Sequence, residues 1–96
     1  MPAENQEDTF IFPIEDSLDL HTFQPREVKE LLEDYLEAAH EKGFQEVLII
    51  HGRGAGLLRQ RVHAILKKHR LVASLRQADA TSGGWGATVA VLRGGK

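Results

Sequence analysis

The stretch IIHGRGAGLL, residues 49–58, marks the place where a buried strand gives way to a helix. Two isoleucines end an apolar run that begins at Val47, and such a run is typical of a central strand. Three glycines follow, and glycine lets the backbone approach a ligand closely. A helix that starts near Leu57 offers unpaired N–H groups to an anion, and Arg53 adds a guanidinium suited to phosphate or carboxylate. The stretch therefore predicts an α/β fold with an anion site at a strand-to-helix turn.

Upstream of this turn, the sequence predicts a strand followed by a helix. Residues 17–21, SLDLH, alternate apolar and polar side chains as in a short strand. Pro25 suits the first turn of the helix, and Gly43 suits its end. The apolar stripe of that helix has steps of three and four residues and consists of Val28, Leu31, Leu32, Tyr35, Leu36 and Ala39.

Downstream of the turn, the sequence predicts a second helix and two further strands. The helix turns Leu58, Val62, Ile65 and Leu66 inward. A strand over 71–76, a glycine-rich loop over 78–86 and a strand over 87–92 follow. The order β-α-β-α-β-β favours parallel pairing in two β-α-β units and an antiparallel final pair, in a four-stranded mixed sheet with both helices on one side.

The composition is that of one ordinary globular domain. The chain has 96 residues, of which 42% are hydrophobic and 27% charged. We assign 1–13 to a disordered acidic leader and 14–96 to the domain. The sequence has no cysteine, which excludes disulfides and thiolate metal sites and fits a reducing cytosol. No apolar stretch approaches the roughly 18 residues of a membrane span, and the acidic start is unlike a signal peptide, so we expect a cytoplasmic protein without a membrane partner.

The charge is distributed unevenly along the chain. Residues 1–50 hold 13 acidic and 3 basic side chains, whereas residues 51–96 hold 1 acidic and 9 basic. Such asymmetry points to a nucleic-acid surface or, equally, to acidic and basic helices that complement each other.

Polar side chains follow both of the first two strands. Asp19 and His21 end the first strand, and His51 ends the second. If these strands are parallel, the three side chains share the carboxyl edge of the sheet, where open α/β sheets bind ligands. Each residue also has a structural interpretation: a solvated strand face for Asp19 and His21, a hydrogen bond to the backbone for His51, and packing on the sheet for Trp85.

Motifs of other enzyme classes fail on spacing. A dinucleotide-binding G-x-G-x-x-G motif would need glycine at position 57, which is Leu57. The chain contains no P-loop, no G-x-S-x-G elbow and no H-E-x-x-H, since His40 and Glu41 are followed by Lys-Gly-Phe. The sequence therefore argues against ordinary nucleotide hydrolases, serine hydrolases and zinc proteases.

Three segments together resemble the Smr domain, a small module found at the end of bacterial MutS2 proteins and as a stand-alone protein. They are LDLH (residues 18–21), HGRG (residues 51–54) with a Leu-Arg pair shortly after it, and GGWGATVAV (residues 83–91). The resemblance covers about 15–93. One position departs from the family pattern, because Thr22 stands where a glycine usually follows the first histidine.

The resemblance implies a two-layer α/β sandwich similar to the C-terminal domain of bacterial translation initiation factor three. It also implies nucleic-acid binding and, as in several members, nicking endonuclease activity on DNA or RNA. The family's functional positions fall on Asp19, His21, His51, Gly52, Arg53 and Gly54, with Gly84 and Gly86 shaping the site. Thr22 would cap the following helix or narrow the cleft.

These residues suggest phosphodiester hydrolysis. Arg53 and the N–H groups of residues 52–54 would hold the phosphate, His21 would be the general base, and Asp19 would orient it or hold Mg²⁺ or Mn²⁺. His51 would be the general acid or structural. Side chains expected along the nucleic acid are Arg59, Arg61, Lys67 and Lys68, with Trp85 stacking on an unpaired base.

Two rival functions stay open at this point. One is a binding module without catalysis, in which Thr22 marks the loss of cleavage. The other is a protein-interaction adaptor that uses the acidic first helix and the apolar residues 10–12. The oligomeric state is not predicted.

Overall fold

In the part of the chain that the structure describes, four strands and two helices follow one another in the predicted order. The computed structural model describes residues 15–54 and 56–94, so the proposed leader lies outside the described residues. The elements are β1 (Ser17–Asp19), α1 (Pro25–Glu41), β2 (Glu46–Ile50), α2 (Leu57–Lys68), β3 (Val72–Gln77) and β4 (Ala87–Leu92). Two single-turn 3₁₀ helices, Ala80–Ser82 and Gly84–Gly86, precede β4 within the glycine-rich loop.

The four strands form one mixed sheet in the order β1-β2-β4-β3. β1 and β2 are parallel, with Asp19 beside Ile50, and β4 is antiparallel to both of its neighbours. The predicted parallel pair is confirmed for the first β-α-β unit. The second unit differs, because β4 inserts between β2 and β3, so that these two strands run in the same direction without pairing.

Local signals set the ends of α1. Pro25 occupies the first helical turn, and the Glu27 carboxylate accepts a hydrogen bond of 3.0 Å from the Gln24 N–H. Gly43 follows the helix with φ of 88°, a left-handed conformation that favours glycine. Gln24 therefore holds the N-cap position, and the prediction that Thr22 caps this helix is wrong.

The core lies between the sheet and the two helices, as expected for a two-layer sandwich. It joins the buried stripes of both helices to one face of the sheet, where Val47, Ile49 and Ala90 project. A smaller cluster on the opposite face contains Ala78, Ala87 and Val89, with Leu48 and Ile50 packed against it. β1 and β2 are parallel and α2 follows β2, so the carboxyl ends of both strands lie beside the N-terminus of α2. No helix of the described part of the chain is long and apolar enough to cross a membrane.

Candidate functional site

A cleft of about 390 Å³ opens at the carboxyl ends of β1 and β2. The parallel pairing places both strand ends at the same edge, and the glycine-rich turn closes one side. The cleft is lined by His21, Phe23, Pro25, His51, Gly52, Arg53, Gly54, Gly56, Leu57, Leu58 and Arg59. The structure thus brings together both histidines and Arg53 of the sequence motifs, with Asp19 next to His21. Thr22 is exposed and does not line the cleft.

Asp19 and His21 form a hydrogen-bonded pair at the mouth of the cleft. The His21 Nδ1 lies 2.5 Å from the Asp19 Oδ1, and the His21 backbone N–H donates to the same oxygen at 3.0 Å. The side-chain bond and then the backbone bond hold the pKa of Asp19 below its usual value, so the carboxylate is ionised at neutral pH. With a carboxylate accepting at Nδ1, neutral His21 carries its proton there and presents an unprotonated Nε2. The two side chains are 56% and 51% exposed, so the pair orients an imidazole and adds little to stability.

The glycine-rich turn is tied to the loop before β4. The N–H groups of His51 and Gly52 both donate to the Gly86 carbonyl oxygen at 2.9 Å. Gly52 has φ of 86°, and a Cβ on it would lie 3.3 Å from the His21 Cβ. Because its N–H is already engaged, Gly52 shapes the turn here, and the predicted phosphate contact falls to Arg53 and to residues further along the turn.

Arg53 runs along the Gly83–Gly86 loop. Its Nη2 donates to the Gly83 carbonyl at 3.5 Å, a long contact that leaves the guanidinium free for other acceptors. A Cβ on Gly84 would lie 3.3 Å from this Nη2, and one on Gly86 would lie 3.1 Å from the Arg53 Cγ. The two loop glycines thus make room for the arginine, in agreement with the shaping role expected for them.

The N-terminus of α2 faces the same cleft without a side-chain cap. Gly56 holds the N-cap position with φ of 91°, and no side chain of the described residues caps the helix. The first N–H groups of a helix have no partner within it and carry a partial positive charge. Gly54, Gly56 and the first residues of α2 line the cleft at this point, so an anion can meet these groups together with Arg53.

A chain of hydrogen bonds links His51 to two residues that the sequence analysis did not single out. His51 is 3% exposed; its Nδ1 lies 3.0 Å from the Gly52 carbonyl and its Nε2 lies 2.9 Å from the Thr88 Oγ1. The His63 Nε2 lies 2.7 Å from the same hydroxyl. A carbonyl only accepts, so His51 carries its proton on Nδ1, Thr88 donates to His51, and His63 donates to Thr88. The only signal in the sequence was a threonine within an otherwise apolar strand.

These hydrogen bonds favour the structural one of the two roles expected for His51. Both ring nitrogens are engaged, and burial lowers its pKa below the usual value, with Arg59 adding to the effect. The pKa of His63 is also lowered, first by burial and then by Arg59, His51 and Lys67. Both imidazoles are therefore neutral at pH 7, and His51 is placed to hold the Gly52 turn in shape.

Replacing Thr88 with valine is expected to destabilise the fold by about 1–3 kcal/mol. Valine keeps the shape of this buried side chain, which is 1% exposed, but leaves two ring nitrogens without a partner. Urea unfolding followed by circular dichroism measures the free energy of unfolding. Thr88→Ser keeps the hydroxyl and serves as the control. A valine variant no less stable than the serine variant would show that the hydroxyl contributes nothing.

Acidification is expected to weaken the fold below about pH 6.5 through these two histidines. Their pKa values are lower in the folded chain, so the unfolded chain binds more protons in this range. Their contribution is therefore complete above the unfolded pKa and is lost as the pH falls towards the folded pKa. Urea midpoints measured against pH should fall less steeply for His63→Gln than for the wild type. His40→Gln, in the last turn of α1, is the control, and equal slopes for His63→Gln and the wild type would contradict the prediction.

The basic side chains of α2 divide into two groups. The Arg59 guanidinium carbon lies 3.9 Å from the centre of the Trp85 ring, and Lys67 is close enough to lower the pKa of His63. Arg61 and Lys68 instead line a separate groove between α2 and the acidic side chains of α1. Of the four basic side chains predicted to contact nucleic acid, Arg59 is the one that lines the cleft. Its Nε–H is buried without a hydrogen-bond partner among the described residues. Trp85 is 48% exposed and stacks on Arg59, so it does not pack fully on the sheet.

The described residues contain no group of three metal-binding side chains. Asp19 contributes the carboxylate beside the cleft, and one of its oxygens is occupied by His21. Mg²⁺ is often held by one or two carboxylates together with substrate phosphates. The second oxygen of Asp19 suits that arrangement, in which substrate oxygens and water molecules would supply the remaining ligands.

Comparison with known proteins identifies relatives along nearly the whole described chain. The Smr domain model matches residues 18–93. Endonuclease MutS2 of Staphylococcus carnosus is 38% identical over 92 residues, which cover 96% of this chain and 12% of the relative. Endonuclease MutS2 of Geobacillus kaustophilus is 48% identical over 62 residues, which cover 65% of this chain and 8% of the relative. The chain thus spans only about a tenth of the length of these relatives.

Two solved structures share the fold. The Smr domain of Thermus thermophilus MutS2 aligns with a TM-score of 0.78 and 32% identity, over 81% of this chain and 98% of that one. YdaL of Escherichia coli, a stand-alone small MutS-related protein, aligns with a TM-score of 0.79 and 27% identity, over 88% of this chain and 70% of YdaL. The arrangement of two helices on a four-stranded mixed sheet is therefore that of solved Smr domains.

Proposed function

The chain belongs to the Smr domain family, and on that premise we propose that it binds DNA or RNA and nicks it by phosphodiester hydrolysis. The observation that carries this proposal is the Asp19–His21 pair, in which Asp19 engages Nδ1 and leaves Nε2 without a partner among the described residues, beside a cleft lined by Arg53 and the N-terminus of α2. A base and an anion-binding surface in one cleft are the two components that phosphodiester hydrolysis requires. The name endonuclease, carried by the MutS2 relatives, agrees with this function.

The phosphate would lie between Arg53 and the first turn of α2. Arg53 is exposed and makes a single long contact, so its fork can bind two phosphate oxygens at once. The uncapped N–H groups of α2 add a partial positive charge at the same point. Negative charge that builds up on the phosphate oxygens during attack is stabilised by both.

Proton transfer would fall to His21. Its Nε2 takes a proton from a water molecule while the water oxygen bonds to phosphorus, and the bond from phosphorus to the leaving oxygen breaks. The leaving oxygen is protonated from solvent, which reaches this exposed edge. Asp19 holds the ring and stabilises the imidazolium that forms. His51 acts as a positioning residue, since both of its nitrogens are engaged within the fold.

The neighbouring nucleic acid would follow the basic side of α2. Arg59 and Lys67 lie on the stripe of α2 that includes His63, and Trp85 adds an aromatic face stacked on Arg59. Contacts of this kind bind the backbone without reading sequence, and they weaken as salt rises. Arg61 and Lys68 lie in the other groove and would serve only a second segment of a longer nucleic acid. We also propose a cytoplasmic location, with which the absence of cysteine is consistent.

A nicking assay tests the proposal. Supercoiled plasmid and a structured RNA are each incubated with wild-type protein and with Asp19→Asn protein purified in parallel, with and without Mg²⁺ or Mn²⁺. We expect cleavage by the wild type and none by the variant, and the cleaved polymer identifies the substrate. Cleavage that needs the cation would indicate that a divalent ion takes part, and the second oxygen of Asp19 would be its candidate protein ligand. Equal cleavage by both proteins would remove Asp19 from the mechanism.

A binding module without catalysis is the second candidate, favoured by Thr22 in place of the usual glycine beside His21. Its signature is a salt-sensitive gel shift without cleavage under any of these conditions. In that case Thr22→Gly is the first variant to examine for restored cleavage. An adaptor that acts through residues 10–12 would show neither a shift nor cleavage, and that segment lies outside the described residues.

A further inference from the structure

We infer that Phe23 and Leu57 form a clamp for one unpaired nucleobase of the bound strand. This inference rests on the proposed function, because it assumes that the strand's phosphate occupies the same cleft. It adds a site for a base to the site already described for the backbone. It also predicts that single-stranded or unpaired segments bind better than continuous duplex.

The first observation is where the chain exposes large apolar side chains. Among the described residues these are Phe23, Leu57 and Trp85, which are 40%, 65% and 48% exposed. All three lie at one edge of the molecule: Phe23 and Leu57 line the cleft, and Trp85 stacks on Arg59, which also lines it. Scattered exposed apolar residues need no explanation, but a group gathered around one cleft marks a binding surface.

The second observation is that both clamp residues stand at the start of a helix or just before one, at the rim of the cleft. The Phe23 N–H donates to the Leu20 carbonyl at 3.0 Å, and Pro25 begins α1 two residues later. Leu57 is the first residue of α2 and follows the left-handed Gly56. Neither side chain is needed in the core, which is built from other residues. Their backbone positions are thus set by the fold before any ligand arrives, which lowers the entropy cost of binding.

The chemistry of the cleft selects the occupant. An apolar surface alone would suit a protein side chain, a second copy of this chain or a nucleobase. Here it shares one cleft with Arg53, Arg59 and an uncapped helix N-terminus, which together favour an anion. A nucleotide supplies a flat apolar ring and a negative phosphate in one unit. A base within a duplex is covered on both faces by its neighbours, whereas an unpaired base exposes its ring for stacking.

Fluorescence anisotropy with four labelled probes tests the clamp. The probes are short oligothymidylate, short oligouridylate, an abasic form of the thymidylate and a duplex of matched length. The proteins are the wild type, Phe23→Ala/Leu57→Ser, Phe23→Trp and Arg76→Ala. Arg76 pairs with Glu46 on the sheet face opposite the helices, so Arg76→Ala is the control for a surface substitution away from the cleft. Urea unfolding confirms that each variant is folded.

We expect the double variant to bind the tighter of the two single-stranded probes about tenfold more weakly than the wild type. Its affinity for the abasic probe should stay unchanged, and Phe23→Trp should bind like the wild type because it keeps an aromatic face. The tighter single-stranded probe shows whether the base comes from DNA or from RNA.

Three results would overturn the clamp. One is wild-type affinity of the double variant for the single strands, and another is an equal loss on the abasic probe, which would mean that the backbone contacts had changed. The third is wild-type protein that prefers the duplex to both single strands. Each of these leaves the proposed function standing, whereas wild-type protein that binds none of the probes at low salt would overturn both.

Discussion

Replacing His21 with alanine is expected to slow cleavage by about 10²–10⁴-fold while leaving nucleic-acid binding intact. His21 is the imidazole at the cleft whose Nε2 has no hydrogen-bond partner among the described residues, while His51 has both nitrogens engaged. Alanine removes the base that accepts the proton of water. It leaves Arg53 and the start of α2, which would bind the phosphate. The effect should therefore fall on the cleavage rate of bound substrate and not on affinity.

Asp19→Asn should reduce cleavage by the same route. Asparagine keeps the size of the side chain but lacks the charge that orients Nδ1–H and stabilises the imidazolium. Asp34→Asn, at an exposed position of α1, is the matched control for loss of one carboxylate. Single-turnover cleavage and gel shifts on the same preparations separate rate from binding. A His21→Ala protein that cleaves at the wild-type rate would remove His21 from the mechanism and direct attention to a cation-bound water.

Replacing Arg53 with alanine is expected to weaken both binding and cleavage, with cleavage falling by about 10²–10³-fold. Arg53 is the exposed cation between the glycine turn and the Gly83–Gly86 loop, and Gly84 and Gly86 leave room for it. Loss of a phosphate contact also makes affinity less dependent on salt. The slope of the logarithm of the binding constant against the logarithm of the salt concentration should become less steep by about one unit. Weaker binding and a weaker salt dependence therefore distinguish Arg53→Ala from loss of the base His21, which should change neither.

Two further proteins sharpen the Arg53 experiment. Arg53→Lys keeps the charge without the fork, so it should recover part of the binding and less of the cleavage. Arg76→Ala removes an arginine that is 57% exposed and pairs with Glu46. Titrations at several salt concentrations give the slope for each protein. If Arg53→Ala and Arg76→Ala behave alike, the effect is one of net charge and the phosphate site lies elsewhere.

Elements with strong local signals could be predicted closely from the sequence. Pro25 and Gly43 bracket α1 as expected, and the apolar stripe of α1 is the one found buried. The parallel pairing of β1 with β2 then follows from the handedness and length of the connection, and with it the shared edge of Asp19, His21 and His51.

Features that depend on distant contacts could not be predicted in this way. The apolar sequence of β4 would suit several positions in a sheet. No local signal therefore indicates its place between β2 and β3. Thr88 meets His51 and His63 across 37 and 25 residues of sequence, so neither partner is visible from spacing. The Gly86 carbonyl likewise engages the Gly52 N–H from a separate loop. Periodicity reports which way a side chain points, but it does not report what lies opposite.

The central position of β4 has a consequence for how the molecule is made. A ribosome synthesises β4 after all the other strands, yet β2 and β3 have no shared neighbour until β4 is inserted between them. The same segment brings the Gly86 carbonyl and the Thr88 hydroxyl that fix the glycine turn. Pairing between elements so far apart in the chain must await closure of long loops, which is slow compared with helix formation. The helices and the β1–β2 pair can therefore form early, but the sheet is completed, and the glycine turn is fixed by Gly86 and Thr88, only after β4 has been synthesised.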